Sequence, residues 1–435
     1  MSQPLSQPPS LPPKLAIEPL ARPPQDVEIR VPGSKSITNR ALLLAALAEG
    51  TTRIEHALSS EDTRHMRRAL QDLGVIIRAE NAETVEVQGS GGLFFTTAAS
   101  LFAGNAGTAA RFLLAAVCIG RGRYVIDGSP RMRQRPIADL VEALRQLGAN
   151  LECPSGCPPV TVYARGLPGG RVEVSGQQSS QYLSALLMVA PYAESKVSIE
   201  VVDSLIAKPY IDMTIGVMAH FGAQVVREGY HRYEIAAGQR YRAPGVYEIE
   251  ADASSAHYFL AAAALLNGKV TVTGIGTKSL QGDIGFVDVL ERMGARVSRS
   301  EHSLTVAGAE ALRGIDVDMN DISDTAPTLA VLGSFARTPV RIRNVGHLRL
   351  QESERIASVT AELQKLGAKV KEHDDGWQIE PAELHGGEVD TYDDHRLAMA
   401  FSLIGLRVPG IVIREPQCVA KTFPTYFEQL ARLRQ

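Results

Sequence analysis

The sequence has few cysteines, few aromatic residues and no long apolar runs. Four cysteines occur in 435 residues, and Cys153 and Cys157 have no companion Cys/His pair at zinc spacing. Neither a disulfide framework nor a zinc site is therefore predicted. Apolar runs such as 41–48 are far too short to span a bilayer. We expect a cytoplasmic protein without a membrane segment or a metal ion.

The sequence also lacks a strong excess of either charge. Lys and Arg number 45 and Asp and Glu number 48, so the formal net charge is −3. This balance argues against a nucleic-acid-binding protein, because a surface that tracks phosphates is usually basic. The length allows two or three hydrophobic cores. The Pro- and Gln-rich residues 2–25 are predicted to form a loose extension before a strand at 27–31.

Five amphipathic segments end alike, with an apolar residue, a glycine, and then Ala or Val before a strand-like stretch. The glycines are Gly74, Gly148, Gly222, Gly294 and Gly367, which lie 74, 74, 72 and 73 positions apart. Each glycine is expected to be a left-handed helix C-cap. A sixth helix at 426–433 closes the chain where the next copy would fall. The sequence thus predicts a repeat of about one sixth of its length.

A second set of helices, smaller and richer in Ala, alternates with the first. They are predicted at 39–48, 108–119, 180–190, 254–266, 325–335 and 395–406. Six copies of a β-α-β-α-β-β unit follow, which places the fold in the α/β (α+β) class. A unit of this size can bury its own core, so a few globular domains are expected rather than a solenoid. If a pseudo-symmetric assembly directs these helix N-termini into one cleft, the cleft would attract anions.

The first Ala-rich helix is preceded by a turn that carries Lys35 and Ser36. Ser34 or Ser36 can cap the helix, and its unpaired N–H groups favour an anion, to which Lys35 and Arg40 would add positive charge. A nucleotide-binding P-loop is excluded, because it needs Gly where Ser34 stands. The alternative interpretation is an ordinary surface helix start with solvated Lys and Arg side chains.

Two further segments have residue types suited to chemistry, and each has a simpler interpretation. Gly104 to Arg111 brings small residues to a helix start, where backbone N–H groups can approach a ligand, although packing alone also favours glycine there. Arg131, Arg133 and Arg135 lie in one loop before Pro136, which is predicted to start a helix and to fix the direction of Arg135. The alternative for this loop is a solvated surface.

Two acidic segments follow in the second half of the chain. Asp324 lies at a predicted helix N-terminus, where simple capping would also explain a carboxylate. Glu352 and Arg355 are predicted to share one helical face at i and i+3, where a surface ion pair is the alternative. Arg396 begins an Ala/Met-rich helix, and Lys421 is predicted to begin the last helix.

The order of these segments carries a resemblance to a known family. The motifs are Pro-Gly-Ser-Lys-Ser at 32–36, Gly-Asn-Ala-Gly-Thr-Ala-Ala-Arg at 104–111, Pro-Arg-Met-Arg-Gln-Arg-Pro-Ile at 130–137, Ser-Ser-Gln at 179–181, Lys-Pro-Tyr-Ile-Asp at 208–212, Gly-Asp-Ile at 282–284, Asp-His-Arg at 394–396 and Lys-Thr-Phe-Pro at 421–424. From about residue 15 to the C-terminus, the chain resembles the 5-enolpyruvylshikimate-3-phosphate synthases.

The resemblance implies two similar domains, each of three repeat units, with the active site in the cleft between them. We expect the domains to comprise 1–33 plus 252–435 and 34–251. It also implies a monomeric enzyme that transfers the enolpyruvyl group of phosphoenolpyruvate to the 5-hydroxyl of 3-phosphoshikimate without a cofactor. Asp324, Glu352 and Lys35 would be catalytic. Substrate contacts would come from Lys35, Ser36, Arg40, Gly107, Arg135, Ser179, Ser180, Gln181, Asp324, Arg355, Arg396 and Lys421.

In more detail, the resemblance gives Asp324 the 5-hydroxyl proton and Glu352 the protonation of the methylene carbon. The sequence departs from the family pattern at two positions that would contact the shikimate ligand. Gln351 stands where Lys is common, and Ala207 stands where Ser is frequent. Weaker binding there, or replacement by a neighbouring group such as His347 or Arg349, remains open.

Two other functions share this architecture. A UDP-N-acetylglucosamine enolpyruvyl transferase usually carries Cys in the loop equivalent to 127–136, which here is Arg-rich and contains no Cys. The other alternative is a non-catalytic module that binds a sugar phosphate, or a relative that processes RNA ends. The acidic balance argues against RNA as a partner.

Overall fold

The computed structural model describes residues 11–434, which divide into two compact units. The insert unit is Gly33–Ile249, and the terminal unit contains the described residues up to Pro32 and from Glu250 onward. The chain therefore passes from one unit to the other twice. The sequence-based domain boundaries, at 33/34 and 251/252, lie next to these division points and stay a prediction.

Strands and helices are numbered along the chain. The strands are β1 (Lys14–Ile17), β2 (Val27–Arg30), β3 (Thr51–Glu55), β4 (Ile76–Ala79), β5 (Val85–Gln88), β6 (Ala98–Phe102), β7 (Arg121–Asp127), β8 (Leu151–Glu152), β9 (Val160–Arg165), β10 (Gly170–Val174), β11 (Val197–Val201), β12 (Val226–Glu228), β13 (Arg232–Ile235), β14 (Val246–Glu248), β15 (Lys269–Thr273), β16 (Arg296–Arg299), β17 (Ser303–Ala307), β18 (Asp316–Asp318), β19 (Val340–Arg343), β20 (Lys369–His373), β21 (Gly376–Glu380), β22 (Gly387–Val389) and β23 (Ile411–Arg414).

The α-helices fall into two alternating sets. The Ala-rich helices are α1 (Lys35–Leu47), α3 (Gly107–Cys118), α5 (Ser180–Val189), α7 (Ala253–Leu266), α9 (Ala326–Gly333) and α11 (His395–Gly405). The second set is α2 (Glu61–Asp72), α4 (Ala138–Gln146), α6 (Pro209–His220), α8 (Phe286–Arg292), α10 (Arg355–Lys365) and α12 (Tyr426–Ala431). Short 3₁₀ helices cover Met132–Gln134, Ala190–Tyr192, Gly282–Gly285, Asn320–Thr325, Gly346–Leu350, Pro416–Lys421 and Arg432–Arg434.

Within residues 11–434 the strands form six small sheets, of which five have four strands in one repeated topology and the sixth has three strands. The first strand of a repeat pairs in parallel with the second, the second pairs antiparallel with the fourth, and the fourth pairs antiparallel with the third. The sheet orders are β14-β3-β5-β4, β6-β7-β9-β8 and β10-β11-β13-β12 in the insert unit and β2-β15-β17-β16, β18-β19-β21-β20 and β22-β23-β1 in the terminal unit. The predicted α/β fold of β-α-β-α-β-β units is confirmed.

Two of the repeats have a first strand that is distant in sequence from their other strands. β2 pairs in parallel with β15, although α1, the next helix along the chain, belongs to the insert unit. β14 pairs in parallel with β3, although α7, the next helix after β14, belongs to the terminal unit. Each of these repeats therefore takes its first strand from a distant part of the chain.

The repeat glycines have the predicted left-handed conformation. Their φ angles are +92° for Gly74, +90° for Gly148, +84° for Gly222, +108° for Gly294 and +93° for Gly367. A side chain with a Cβ is disfavoured at such φ angles, so glycine is the residue that ends these helices and turns the chain into the next strand. The prediction from the spacing is confirmed at all five positions.

The prediction of a loose extension at 2–25 is wrong for residues 14–17. These residues form β1, which pairs antiparallel with β23, so that Lys14 lies opposite Arg414 and Ile17 opposite Ile411. The last repeat ends with α12 and has no strands after it within the described chain, and the N-terminal segment supplies one. Residues 2–10 lie outside the described part of the chain.

The Ala-rich helices are buried on nearly all sides, which explains their weak amphipathic pattern. All twelve residues of α3 are buried, as are all eleven of α11. Polar side chains at their N-terminal ends pair with one another inside each unit: Asn39 Nδ2 donates to Thr108 Oγ1 at 2.8 Å, and His257 Nε2 lies 2.8 Å from Thr328 Oγ1. None of the described helices is long and apolar enough to cross a membrane.

Candidate active site

Arg355 is the centre of a buried ionic network in the terminal unit. It is the first residue of α10 and is only 1% exposed. Its Nε donates to Asp394 Oδ2 at 2.8 Å, its Nη2 to Glu352 Oε2 at 2.8 Å, and its Nη1 to Asp324 Oδ1 at 3.2 Å. Burial alone would lower the pKa of Arg355, but these three carboxylates outweigh it and raise the pKa above its usual range.

Asp394 connects Arg355 to the start of α11. It is the N-cap of that helix, where its Oδ1 accepts from the backbone N–H of Arg396 at 2.9 Å. Its Oδ2 also accepts from Ser353 Oγ at 3.0 Å, and its side chain is fully buried. Asp394 was not predicted to have a role, although it is part of the Asp-His-Arg motif. Its adjacency to Arg396 and its capping position were the available signals.

Two more cations complete the network. Arg396 Nη2 donates to Asp324 Oδ2, and Lys421 Nζ lies 3.1 Å from Glu352 Oε1. The structure therefore brings together Asp324, Glu352, Arg355, Arg396 and Lys421, which the sequence analysis had selected from four separate segments. With Asp394, the network contains three carboxylates and three cations.

The predicted local geometry of Glu352 and Arg355 is wrong. Glu352 precedes α10, whose N-cap is Glu354, so the pair joins a loop to the first helical residue and does not lie on one helical face. The alternative of a surface ion pair is also wrong, because the two side chains are 8% and 1% exposed. Lys421 ends the 3₁₀ helix Pro416–Lys421 and does not begin α12.

Asp283, His257 and His347 are further titratable groups near Asp324. Burial is the larger cause and repulsion from Asp324 the next of a rise in the pKa of Asp283 to about 7. Ser254 Oγ donates to Asp283 Oδ2, and Arg396 Nη1 donates to the Ser254 carbonyl at 3.4 Å. Burial holds the pKa of His257 well below its usual value and lowers that of His347 to about 4. Both imidazoles are therefore neutral at pH 7.

In the insert unit, Lys35 lies at the N-terminus of α1. Ser34 is the N-cap, and its Oγ accepts from the Ile37 N–H at 3.4 Å. Lys35 Nζ lies 3.3 Å from Oδ2 of Asp62, a buried carboxylate in the first turn of α2. The Lys35 side chain is 15% exposed, so the alternative of a solvated lysine at a surface helix start is wrong.

Arg40 lies one turn further along α1 and is 1% exposed. Its guanidinium donates only to uncharged acceptors in the described chain, which are Thr214 Oγ1, Ser184 Oγ, the Ser36 carbonyl and the Tyr210 carbonyl. Burial lowers the pKa of Arg40 to about 10, which leaves the side chain charged at pH 7. A buried cation without a carboxylate partner is stabilised by an anion.

Among the three arginines of the 127–136 loop, only Arg135 is buried, at 4% exposure. Its Nη1 donates to the Asn105 carbonyl at 3.0 Å, whereas Arg133 forms an exposed ion pair with Asp127. A Cβ added to Gly107, the first residue of α3, would lie 2.7 Å from Arg135 Nη2. The helix start and the guanidinium therefore face each other closely. The helix after this loop begins at Ala138 and not at Pro136.

The Ser-Ser-Gln motif forms the start of α5. Ser179 is the N-cap, and its Oγ accepts from the Gln181 N–H at 3.2 Å. Ser180 is buried as the first helical residue. The Gln181 Oε1 atom is buried and has no hydrogen-bond donor among residues 11–434. Buried amide oxygens are normally paired, so this atom is suited to accept from a ligand hydroxyl.

The two departures from the family pattern lie outside regular helices. Gln351 follows the 3₁₀ helix Gly346–Leu350, and Ala207 has a φ of +50° immediately before Lys208. His347 lies in the same 3₁₀ helix, and its Nε2 is 2.8 Å from Ser323 Oγ, next to Asp324. Because burial lowers the pKa of His347 to about 4, His347 can offer a hydrogen bond but not the positive charge of the missing lysine. No group of three His, Cys, Asp or Glu side chains in the described chain is arranged to hold a metal ion.

Comparison with known proteins identifies the family. The sequence pattern of EPSP synthase (3-phosphoshikimate 1-carboxyvinyltransferase) matches residues 21–430. The chain is 51% identical over 412 residues to the 3-phosphoshikimate 1-carboxyvinyltransferase of Shewanella sp. (strain ANA-3), with 94% of this chain and 96% of the relative covered. The chain belongs to the EPSP synthase family.

Solved structures agree with this assignment. EPSP synthase from Acinetobacter baumannii superposes with a TM-score of 0.82 at 27% identity and covers 97% of this chain and 98% of its own. The enolpyruvyl transferase NikO from Streptomyces tendae has a TM-score of 0.78 at 20% identity, with 97% of each chain covered, and supports the fold alone. The resemblance read from the motifs is thus confirmed.

Proposed function

We propose that the protein is a 3-phosphoshikimate 1-carboxyvinyltransferase of the shikimate pathway, which leads to chorismate and the aromatic amino acids. The 5-hydroxyl oxygen of 3-phosphoshikimate bonds to C2 of phosphoenolpyruvate, and a proton is added to the methylene carbon. Loss of a proton from that methyl group and of inorganic phosphate restores the double bond. The reaction is redox-neutral and requires no cofactor.

The observation that carries this proposal is the buried network around Arg355. Both substrates combine a carboxylate with a phosphate, so the protein must neutralise several negative charges. Arg355, Arg396 and Lys421 supply three cations in the terminal unit, all less than one tenth exposed. Water is largely excluded around them, which strengthens their attraction for an anion. We assign this group to phosphoenolpyruvate.

The same network contains the two groups needed for proton transfer. Asp324 lies against Arg355 and Arg396, and Glu352 lies against Arg355 and Lys421. We assign Asp324 to the 5-hydroxyl proton and Glu352 to the methylene carbon, with Lys35 as the third catalytic group. General acid–base catalysis of this kind contributes about 10²- to 10⁴-fold.

The insert unit is assigned mainly to 3-phosphoshikimate. Ser36 and Arg40 at α1 and Ser179, Ser180 and Gln181 at α5 offer hydroxyls, an amide and a cation to its phosphate and hydroxyls. Gly107 and Arg135 are assigned to phosphoenolpyruvate, because a helix N-terminus beside a buried guanidinium favours an anion. The position of the active site in a cleft between the two domains stays a prediction.

The comparisons favour this reaction over transfer to UDP-N-acetylglucosamine, and the buried acid–base network favours an enzyme over a non-catalytic sugar-phosphate-binding module. We further propose a cytoplasmic monomer that does not bind nucleic acid.

The proposed reaction is tested by incubating the purified protein with phosphoenolpyruvate and either 3-phosphoshikimate or UDP-N-acetylglucosamine while measuring phosphate release. Phosphate release in the assay with 3-phosphoshikimate, and not in the assay with UDP-N-acetylglucosamine, supports the proposal. Absence of phosphate release with either acceptor would refute it. Asp324→Asn is the matched inactive variant.

A further inference from the structure

Two consecutive left-handed residues lie immediately before the site residues of α11. Tyr392 has a φ of +54° and Asp393 a φ of +55°. This conformation is uncommon for non-glycine residues, particularly for a bulky aromatic one, so neighbouring groups must hold the chain in it. The next residues are Asp394, which accepts from Arg355, and Arg396, which donates to Asp324.

Glu362 on α10 binds the turn at 390–393 through hydrogen bonds from Tyr392 and Asp390. Its Oε1 accepts from Tyr392 Oη at 2.8 Å, and its Oε2 accepts from the Asp390 N–H at 3.0 Å. Lys365 Nζ contacts Glu362 Oε2 at 2.7 Å and Asp390 Oδ2 at 2.9 Å. Glu362 is fully buried, whereas Tyr392 is 45% exposed. The tyrosine therefore gains little from burial of its ring, and its hydroxyl is the group that ties it to the fold.

The same helix also carries Arg355 at its first position. Glu362 and Arg355 lie seven residues apart on α10, two helical turns, and both contact the segment that leads into α11. Arg355 contacts Asp394 directly, and Glu362 contacts the residues before it. One helix thus fixes both ends of the strained turn.

We propose that Glu362 is a positioning residue for phosphoenolpyruvate binding: by holding the Asp390–Tyr392 segment, it keeps Tyr392 and Asp393 left-handed and so orients Asp394 and Arg396. This inference rests on the proposed function, which assigns Arg396 to phosphoenolpyruvate. In this role, Glu362 acts on the turn and not on the substrate. Its effect is transmitted through the Tyr392 hydroxyl and the Asp390 N–H.

The test removes the hydroxyl with Tyr392→Phe and then relieves the backbone with Tyr392→Asn, because Asn tolerates the left-handed conformation better than Phe. Tyr392→Phe should raise the KM for phosphoenolpyruvate about tenfold and leave that for 3-phosphoshikimate within about twofold, as expected for loss of a hydrogen bond to a charged group. Tyr392→Asn should restore the KM to within about threefold of wild type. Tyr163→Phe is the matched control, because it also removes a hydrogen bond from a tyrosine hydroxyl to a glutamate, here Glu152.

Hydrogen exchange of the unliganded protein provides a readout that does not depend on the reaction. Tyr392→Phe should accelerate exchange at the amides of 393–398, and Tyr163→Phe should not. A wild-type KM in Tyr392→Phe, or a Tyr392→Asn protein no better than Tyr392→Phe, would overturn the positioning role. If the wild-type protein releases no phosphate, the proposed function fails, and unchanged exchange in Tyr392→Phe would separately overturn the hold on the turn.

Discussion

The sharpest test of the proposed mechanism is Glu352→Gln, which keeps the shape of the side chain and removes its charge and its acidic proton. The carboxylate lies between Arg355 Nη2 at 2.8 Å and Lys421 Nζ at 3.1 Å and is 8% exposed. A hydrogen bond to a charged group contributes about 1.5–3 kcal/mol. Gln keeps one acceptor oxygen, and Arg355 retains Asp394, so the expected loss of stability is about 1.5–3 kcal/mol.

The expected effect on turnover is larger than the effect on folding. If Glu352 delivers the methylene proton, Glu352→Gln should lower kcat by about 10²- to 10⁴-fold, which corresponds to roughly 3–5 kcal/mol in the activation barrier. Phosphate release at saturating concentrations of both substrates gives kcat, and denaturant unfolding gives the stability. The two measurements separate a catalytic role from a structural one.

Glu354→Gln is the matched control for this experiment. Glu354 is two residues away, caps α10 by accepting from the Ala357 N–H, and pairs with Arg349 at 2.6 Å, but its side chain is 37% exposed. Its replacement should cost about 1 kcal/mol of stability through the weakened cap and leave kcat unchanged. A folded Glu352→Gln protein with near-wild-type kcat would remove Glu352 from the mechanism.

Three further predictions follow from the geometry. Gly107→Ala should raise the KM for phosphoenolpyruvate by about tenfold with little effect on that for 3-phosphoshikimate, because the new Cβ displaces Arg135; equal changes in both would contradict this. Arg355→Lys should also raise the KM for phosphoenolpyruvate, since an ammonium cannot reproduce the planar three-carboxylate contact, and an unchanged KM would contradict it. Asp283→Asn should weaken the pH dependence of the free energy of unfolding. Because the pKa of Asp283 is raised to about 7, the folded protein holds a proton that the unfolded chain releases above about pH 4. The free energy of unfolding of the wild-type protein should therefore fall by up to roughly 4 kcal/mol between pH 4 and 7. An equal fall in the free energy of unfolding for both proteins between pH 4 and 7 would refute this prediction.

The parts of the fold that could be predicted from the sequence depend on local chemistry. A glycine C-cap needs only its own backbone conformation, so regular spacing was enough to locate five helix ends. Strand β1 could not be predicted in this way, because its partner β23 lies almost the whole chain away. Nothing in residues 14–17 indicates that a distant sheet lacks a strand.

The site shows the same division between local and long-range information. The sequence motifs selected Glu352 and Arg355, but their assignment to one helical face was wrong, because the helix starts only at Arg355. Asp394 and Glu362 were missed, since the partners that define their roles, Arg355 for Asp394 and Tyr392 for Glu362, come from other segments of the chain. A helix-capping pattern covers one turn of the chain. It contains no information on which distant side chain a buried carboxylate contacts.

The composition of the terminal-unit network bears on how substrate binding and proton transfer are linked. Asp324, Glu352 and Asp394 share three cations, and Asp394 is the carboxylate with no exposure. Under the proposed function, an arriving phosphate competes with Asp324 and Glu352 for Arg355, Arg396 and Lys421, whereas Asp394 keeps Arg355 oriented from its buried side. The two carboxylates that lose cationic partners are the two assigned to proton transfer, and loss of a neighbouring cation makes a carboxylate a stronger base. Binding of phosphoenolpyruvate would thus make Asp324 a better acceptor for the 5-hydroxyl proton and Glu352 better able to hold the proton that it delivers to the methylene carbon.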